Sequence, residues 1–174
     1  RVVQDQGDLC VGREERGNVL PDEKVALTAV VGGAQDVGGR QPGALLVDAD
    51  GETVLLEQGN VDSIDHAESL LARTAARQFS AERLWGCTLV TTVEPCAMCA
   101  GTQYWAHIGR LVYGMSERRL LGLTGNHSEN PTLDLPCREV FAHGQQGICV
   151  IGPVPEVEAE SAALHRAFWQ RGAP

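Results

Sequence analysis

Cys87-Thr88-Leu89-Val90-Thr91-Thr92-Val93-Glu94-Pro95-Cys96-Ala97-Met98-Cys99 sets both the architecture and the chemistry of this chain. Its first part, Cys87 to Thr92, is a short apolar and β-branched run, the pattern of a buried strand. Pro95 suits the first turn of a following helix, where a missing N–H costs little. That helix is expected to run to about His107. Cys96 and Cys99 are i and i+3, so on the helix they share a face. Both sulfurs then stand near the positive end of the helix dipole, which favours thiolate over thiol.

Upstream lies His66-Ala67-Glu68. With Cys96 and Cys99, His66 completes three ligands for one Zn²⁺. One neutral imidazole and two thiolates leave that complex without net charge, a stronger Lewis acid than a four-thiolate site. Three protein ligands also leave a fourth tetrahedral position for water, the mark of a catalytic zinc. Such an ion brings the pKa of its water toward ~7. His66 and Glu68 are i and i+2 and point apart in mid-helix. They serve one site if His66 opens the helix that carries Glu68, after a cap at Ser63 or Asp65. Ala67 between them is small and lets a substrate approach the backbone.

Plainer readings fit less well. A redox C-x-x-C pair has no need of H-x-E. A structural zinc needs a fourth ligand, for which Cys87, Cys137, Cys149, His107, His127 and His143 are candidates. None of these stands in a second paired motif, and a structural ion has no use for Glu68. A non-catalytic zinc module is therefore the weaker alternative.

The chain's 174 residues make one domain with a real core rather than two. No apolar run reaches the length of a membrane span, and no signal peptide opens the sequence. Two of the six cysteines belong to the metal motif and the other four are scattered. That spacing favours a reduced, cytoplasmic protein over a disulfide scaffold. The net charge of −9 argues against a nucleic-acid partner, which calls for a basic patch. Lys24 is the single lysine, and Arg118-Arg119 is the one adjacent basic pair. A small-molecule substrate is the default, with nucleic acid disfavoured.

Residues 1–20 read as an irregular N-terminal arm and 21–174 as a single domain. Asp22 to Val31 is weakly helical, and Gln35 to Pro42 is a glycine-rich loop. Ala44 to Val47 and Thr53 to Leu56, around Asp48-Ala49-Asp50-Gly51, form a hairpin. His66 to Phe79 is a helix with Leu70, Leu71 and Ala75 as its buried stripe. Further strands follow at Arg110–Gly114 and Ile148–Ile151, with helical patterns at Ser116–Leu121 and Glu156–Gln170. The turn-rich stretch from Thr124 to about Gln146 reads as one long loop of the kind that shapes a site. The sum is a three-layer α/β/α arrangement with both half-motifs at helix starts, where open α/β sheets place their ligands.

From about Pro42 to Trp169 the chain resembles the cytidine deaminase-like superfamily, in the branch of tRNA adenosine deaminases, guanine deaminases and bacterial nucleoside deaminases. The H-x-E…P-C-x-x-C pattern carries the resemblance. Pro42-Gly43-Ala44, Gly59-Asn60 and Ile108-Gly109-Arg110-Leu111-Val112-Tyr113-Gly114 support it. The resemblance implies a five-stranded mixed sheet between helices and, in many members, a homodimer. It gives zinc to His66, Cys96 and Cys99, and proton transfer to Glu68. Asn60 matches an asparagine that bonds the base or its sugar; it is equally a turn residue after a strand. Tyr104 and Trp105 stack on a base or belong to the core, and His127 and Glu129 read a substrate edge or line a solvated loop.

Two departures bear on the substrate. Many relatives carry Pro-Phe-Gly-Ala where this chain has Gln41-Pro42-Gly43-Ala44, so an aromatic near the pocket is absent. Asn126 to Cys137 also differs from the tRNA enzymes. The resemblance with this charge balance implies hydrolytic deamination of a free base or nucleoside. A guanine-like purine is favoured over cytosine, and adenosine in tRNA is the alternative.

Overall fold

A computed structural model describes residues 43–125 and 131–169. The arm, the 22–31 segment, His127 and Glu129 lie outside the described residues. One mixed sheet of five strands runs through the centre in the order β2-β1-β3-β4-β5. The strands are β1 Ala44–Val47, β2 Val54–Gln58, β3 Thr88–Val93, β4 Arg110–Met115 and β5 Cys149–Ile151. β1 pairs antiparallel with β2 and β3, whereas β3, β4 and β5 run parallel.

The hairpin is shaped by Asp50, whose carboxylate accepts the backbone N–H groups of Glu52 and Thr53 and the Thr53 hydroxyl. Those bonds, the hydroxyl's first, hold its pKa down to about 2. Gly51 takes φ +81°, a conformation open to glycine at little cost. The outer strand β2 is partly exposed; β1 and β3 are buried throughout.

Six helices are described: α1 Ala67–Gln78, α2 Ala81–Gly86, α3 Ala97–Trp105, α4 Glu117–Thr124, α5 Cys137–Ala142 and α6 Pro155–Trp169. Strand alternation divides the core in two. Ala44, Leu46, Leu89 and Leu111 face one way, onto Leu71 and Ala75 of α1, Ala100 of α3 and Phe141 of α5. Leu45, Val47, Val90 and Val112 face the other way, onto Val154 and Val157. Beyond them Val93 and Met115 meet Leu120 of α4 and Ala162 of α6. Each sheet face buries its apolar rows under helices, which makes the three-layer α/β/α fold expected from the sequence.

Two glycines allow close approach. A Cβ at Gly109 would run into the Trp85 carbonyl at the end of α2, and one at Gly114 would sit 2.6 Å from Ser161 Oγ of α6.

Several expectations need correction. The sequence pattern assigns no element to residues 80–86, where Ala81–Gly86 form α2: Ser80 caps it by accepting the Arg83 N–H, and Leu84 anchors it in the core. The long stretch after Thr124 holds α5, a short helix pinned by buried Cys137 and Phe141. Such short helices are set by tertiary contacts rather than by periodicity. Neither Ser63 nor Asp65 caps α1; His66 occupies the N-cap itself. α3 begins at Ala97 with Cys96 as N-cap, so Pro95 precedes the helix instead of lying in its first turn. Among the described residues Cys87, Cys96, Cys99 and Cys137 are free thiols.

Candidate active site

The site forms where two helices begin. His66 at the N-cap of α1 and Cys96 at the N-cap of α3 have extended backbone and no side-chain capping bond. Their side chains are thereby left to point at each other. Cys99, one turn into α3, joins them. His66 Nδ1 lies 3.6 Å from Cys96 Sγ and 3.5 Å from Cys99 Sγ, and the sulfurs are 3.6 Å apart. A tetrahedral zinc with its usual bond lengths places two sulfurs about 3.8 Å apart and nitrogen about 3.6 Å from sulfur. The triangle therefore fits the ion. Among the described residues no fourth His, Cys, Asp or Glu joins this cluster. Cys87 lies beside Asp48, Cys137 donates its backbone N–H to Glu94, and His107 meets Gln146.

The donors are electrically prepared for a cation. The Cys96 thiol is pulled down to about 4, first by its hydrogen bond with Cys99 and then by the one with His66. The same bond, together with burial, pushes Cys99 up. A cation bound among these donors requires both sulfurs to give up their protons. Ser69, fully buried in the first turn of α1, directs its hydroxyl at Cys99 Sγ from 3.3 Å.

Glu68 stands beside the cluster. Burial of its carboxyl end drives its pKa up, and the hydrogen bond from Thr91 opposes that rise. Thr91 Oγ1 donates to Glu68 Oε1 at 2.7 Å. Glu68 Oε2 is left toward the metal ligands, 3.5 Å from Cys99 Sγ. One carboxylate oxygen is held by the β3 strand and the other faces the chemistry.

A scan against family models matches residues 23–115 to the cytidine and deoxycytidylate deaminase zinc-binding region. The chain belongs to this deaminase family. It is 33% identical over 143 residues to a probable cytosine deaminase of Schizosaccharomyces pombe, covering 80% of this chain and 85% of that one. A solved structure from work on A-to-I editing by tRNA:A34 deaminases is 27% identical, with a TM-score of 0.59 over 80% of this chain and 99% of that chain. A guanine deaminase from Nitrosomonas europaea shares the fold, with a TM-score of 0.58, 20% identity and coverage of 91% and 89%. The chain is a hydrolytic deaminase of a zinc-binding family, and His66, Cys96 and Cys99 form the cluster that could hold the ion.

The remaining expected residues fall in different places. Ala67 is completely buried and belongs to the apolar core under the sheet. Asn60 lies in the loop after β2, its Nδ2 donating to the Asp62 carbonyl at 3.2 Å. Trp105 is 78% exposed at the far end of α3, about 9 Å along the axis from Cys99. The structure does not gather it with the metal ligands. Tyr104 packs edge-on against Trp105, and its hydroxyl accepts the Gln145 N–H, which ties α3 to the loop after α5.

Sequence reasoning gave no role to Thr91, Ser69, Glu94 or Glu117. Glu94 is buried, and its two oxygens accept the N–H of Glu117, at the start of α4, and of Cys137, at the start of α5. Only its place directly before Pro95-Cys96 hinted at this.

Proposed function

We propose that this deaminase acts on a free nucleobase or nucleoside, a guanine-like purine ahead of cytosine, with Glu68 as its proton carrier. The observation that carries the small-substrate reading is the state of the arginines that would build a path for RNA. Arg118 Nε pairs with Asp134 at 2.7 Å, Arg119 with Glu158 at 3.6 Å, and Arg138 donates to the Val150 and Gly152 carbonyls. With a net charge of −9, the surface offers a phosphate backbone little.

When bound, zinc supplies the Lewis acidity that makes water nucleophilic near neutral pH. Glu68 Oε2 takes the proton released as water adds to the amidine carbon, then protonates the ring nitrogen and the departing amine. The carbon–nitrogen bond breaks, ammonia leaves and a carbonyl remains. Thr91 fixes Glu68 through Oε1 during both transfers. Ala67, lacking a longer side chain, lets the base lie against the start of α1, and Asn60 is positioned in the loop that enters it. Trp105 keeps a role as a stacking residue only if another element carries the base toward it. The homodimer implied by the family resemblance belongs to this reading, and sedimentation of the purified protein tests it.

Ammonia release over guanine, cytosine, adenine, their nucleosides and a tRNA anticodon stem-loop tests the substrate. Turnover of a base or nucleoside with none on RNA supports the proposal. Turnover of RNA alone establishes the second reading, favoured by the likeness to the tRNA:A34 deaminase structure.

A further inference from the structure

We propose that Glu117 is a substrate-recognition residue of this site, its carboxyl accepting a ring N–H of the base. The inference rests on the nucleobase reading above and narrows it to bases that present such a donor.

The strand register places Glu117. β3 and β4 are parallel, with Val93 opposite Met115. Glu117 follows two residues beyond Met115, at the start of α4, as Pro95 follows two residues beyond Val93. Its backbone N–H is bound by Glu94 Oε2 at 3.1 Å, which fixes that position. Glu117 is 8% exposed; burial raises its pKa to about 8, the nearby Cys96, Glu68 and Glu94 add to that rise, and His66 opposes it. It acts on His66 in return. Its carboxyl therefore lies within electrostatic reach of the metal ligands and the proton carrier.

Among the described residues nothing hydrogen-bonds or ion-pairs with that carboxyl. Every neighbouring acid is in use: Glu94 on two backbone N–H groups, Glu68 on Thr91. Burying an acid without a partner is costly. α4 gives little in return. Its N-terminus is already served by Ser116, which accepts the Arg119 N–H, and by Glu94. A further acid at that end gains only the weak attraction of the helix dipole. A group held at such cost, within reach of a site that needs to orient a polar heterocycle, is explained by a partner that arrives with the substrate. Ionised or neutral, a carboxyl oxygen accepts the ring N–H that free purines and pyrimidines carry and N-alkylated ones lack.

The test measures kcat and KM for wild type, Glu117→Gln and Glu117→Ala, on the base with highest turnover and on that base methylated at the ring nitrogen. Zinc content and melting temperature are measured on each variant. Wild type is expected to prefer the N–H base by roughly 2- to 10-fold in kcat/KM, the ratio supplied by one hydrogen bond to a mostly neutral carboxyl. Most of that preference should reside in KM. Glu117→Gln should shrink it and Glu117→Ala should abolish it, with zinc and melting temperature unchanged. An undiminished preference in both variants overturns the proposal. So does a loss confined to kcat, which would make Glu117 a proton-handling group, or a loss of zinc, which would make it a support of the metal site. Absence of ammonia from every base with wild-type enzyme would sink the nucleobase reading itself, and this inference with it.

Discussion

Glu68 and Thr91 form the pair in which single atoms decide the outcome. Replacing Glu68 by Ala removes the proposed proton carrier while leaving His66, Cys96 and Cys99 untouched. Ammonia release should fall by about 10²- to 10⁴-fold, with zinc still bound when measured by metal analysis. Thr91→Val keeps the shape of a buried β3 residue but removes the 2.7 Å bond to Oε1. Turnover should fall by roughly tenfold, less than for Glu68→Ala, because the carboxylate persists but loses its orientation. A Thr91 variant as inactive as Glu68→Ala would show that orientation, not the proton, is limiting. The three ligands and Glu68 were legible because their residue types and spacing exclude most other uses. Thr91 was not, since an alternating apolar strand contains threonines for packing alone, and only the fold sets it across from a helix 23 residues earlier.

At the scale of elements, Glu94 joins β3 to the N-termini of α4 and α5. Glu94→Gln replaces one charged acceptor by a neutral acceptor and a donor that meets an N–H. The loss should be about 2–4 kcal/mol in denaturant unfolding, as expected for charge-assisted bonds in a buried place. A change below ~0.5 kcal/mol would show that α4 and α5 are held by packing alone. On the other face of the sheet, His165 of α6 is buried, its Nε2 has no partner, and burial alone lowers its pKa to about 4. The native state thus keeps it neutral, whereas the unfolded chain protonates near 6.5. Above pH 6.5 the site costs nothing; as pH falls toward about 4 the unfolded state gains protons and stability drops by up to ~3 kcal/mol. Unfolding free energies at pH 7 and pH 4.5 should show this drop in wild type and a smaller one in His165→Leu. The helices that sequence missed, α2 and α5, have six residues each. No hydrophobic period can register in so short a span, and neighbours supply the burial that holds them.

For the whole molecule, the cluster unites α1 and α3, whose only covalent link passes through α2 and β3. Loading it with zinc stabilises the fold by mass action, by about 2.7 kcal/mol at free zinc 100-fold above Kd. For a domain of this size, chelation should lower the melting temperature by roughly 5–10 °C, and added zinc should restore it. An unchanged melting curve would mean that the cluster does not hold the ion tightly. Among the described residues no helix is long and apolar enough to cross a membrane.

The residues that can bind zinc and move a proton were decided by the sequence alone, because coordination chemistry admits few side chains and these stand in a paired spacing. So was the sandwich of a sheet between helices, since apolar runs alternating with helical patterns have few ways to hide their greasy faces. Which polar groups support the site from around it was decided only by the tertiary structure. Thr91, Glu94 and Glu117 acquire their settings from the parallel register of β3 and β4 and from the angle at which two helices begin. Those are properties of chain segments meeting in space, and no local run of residues contains them.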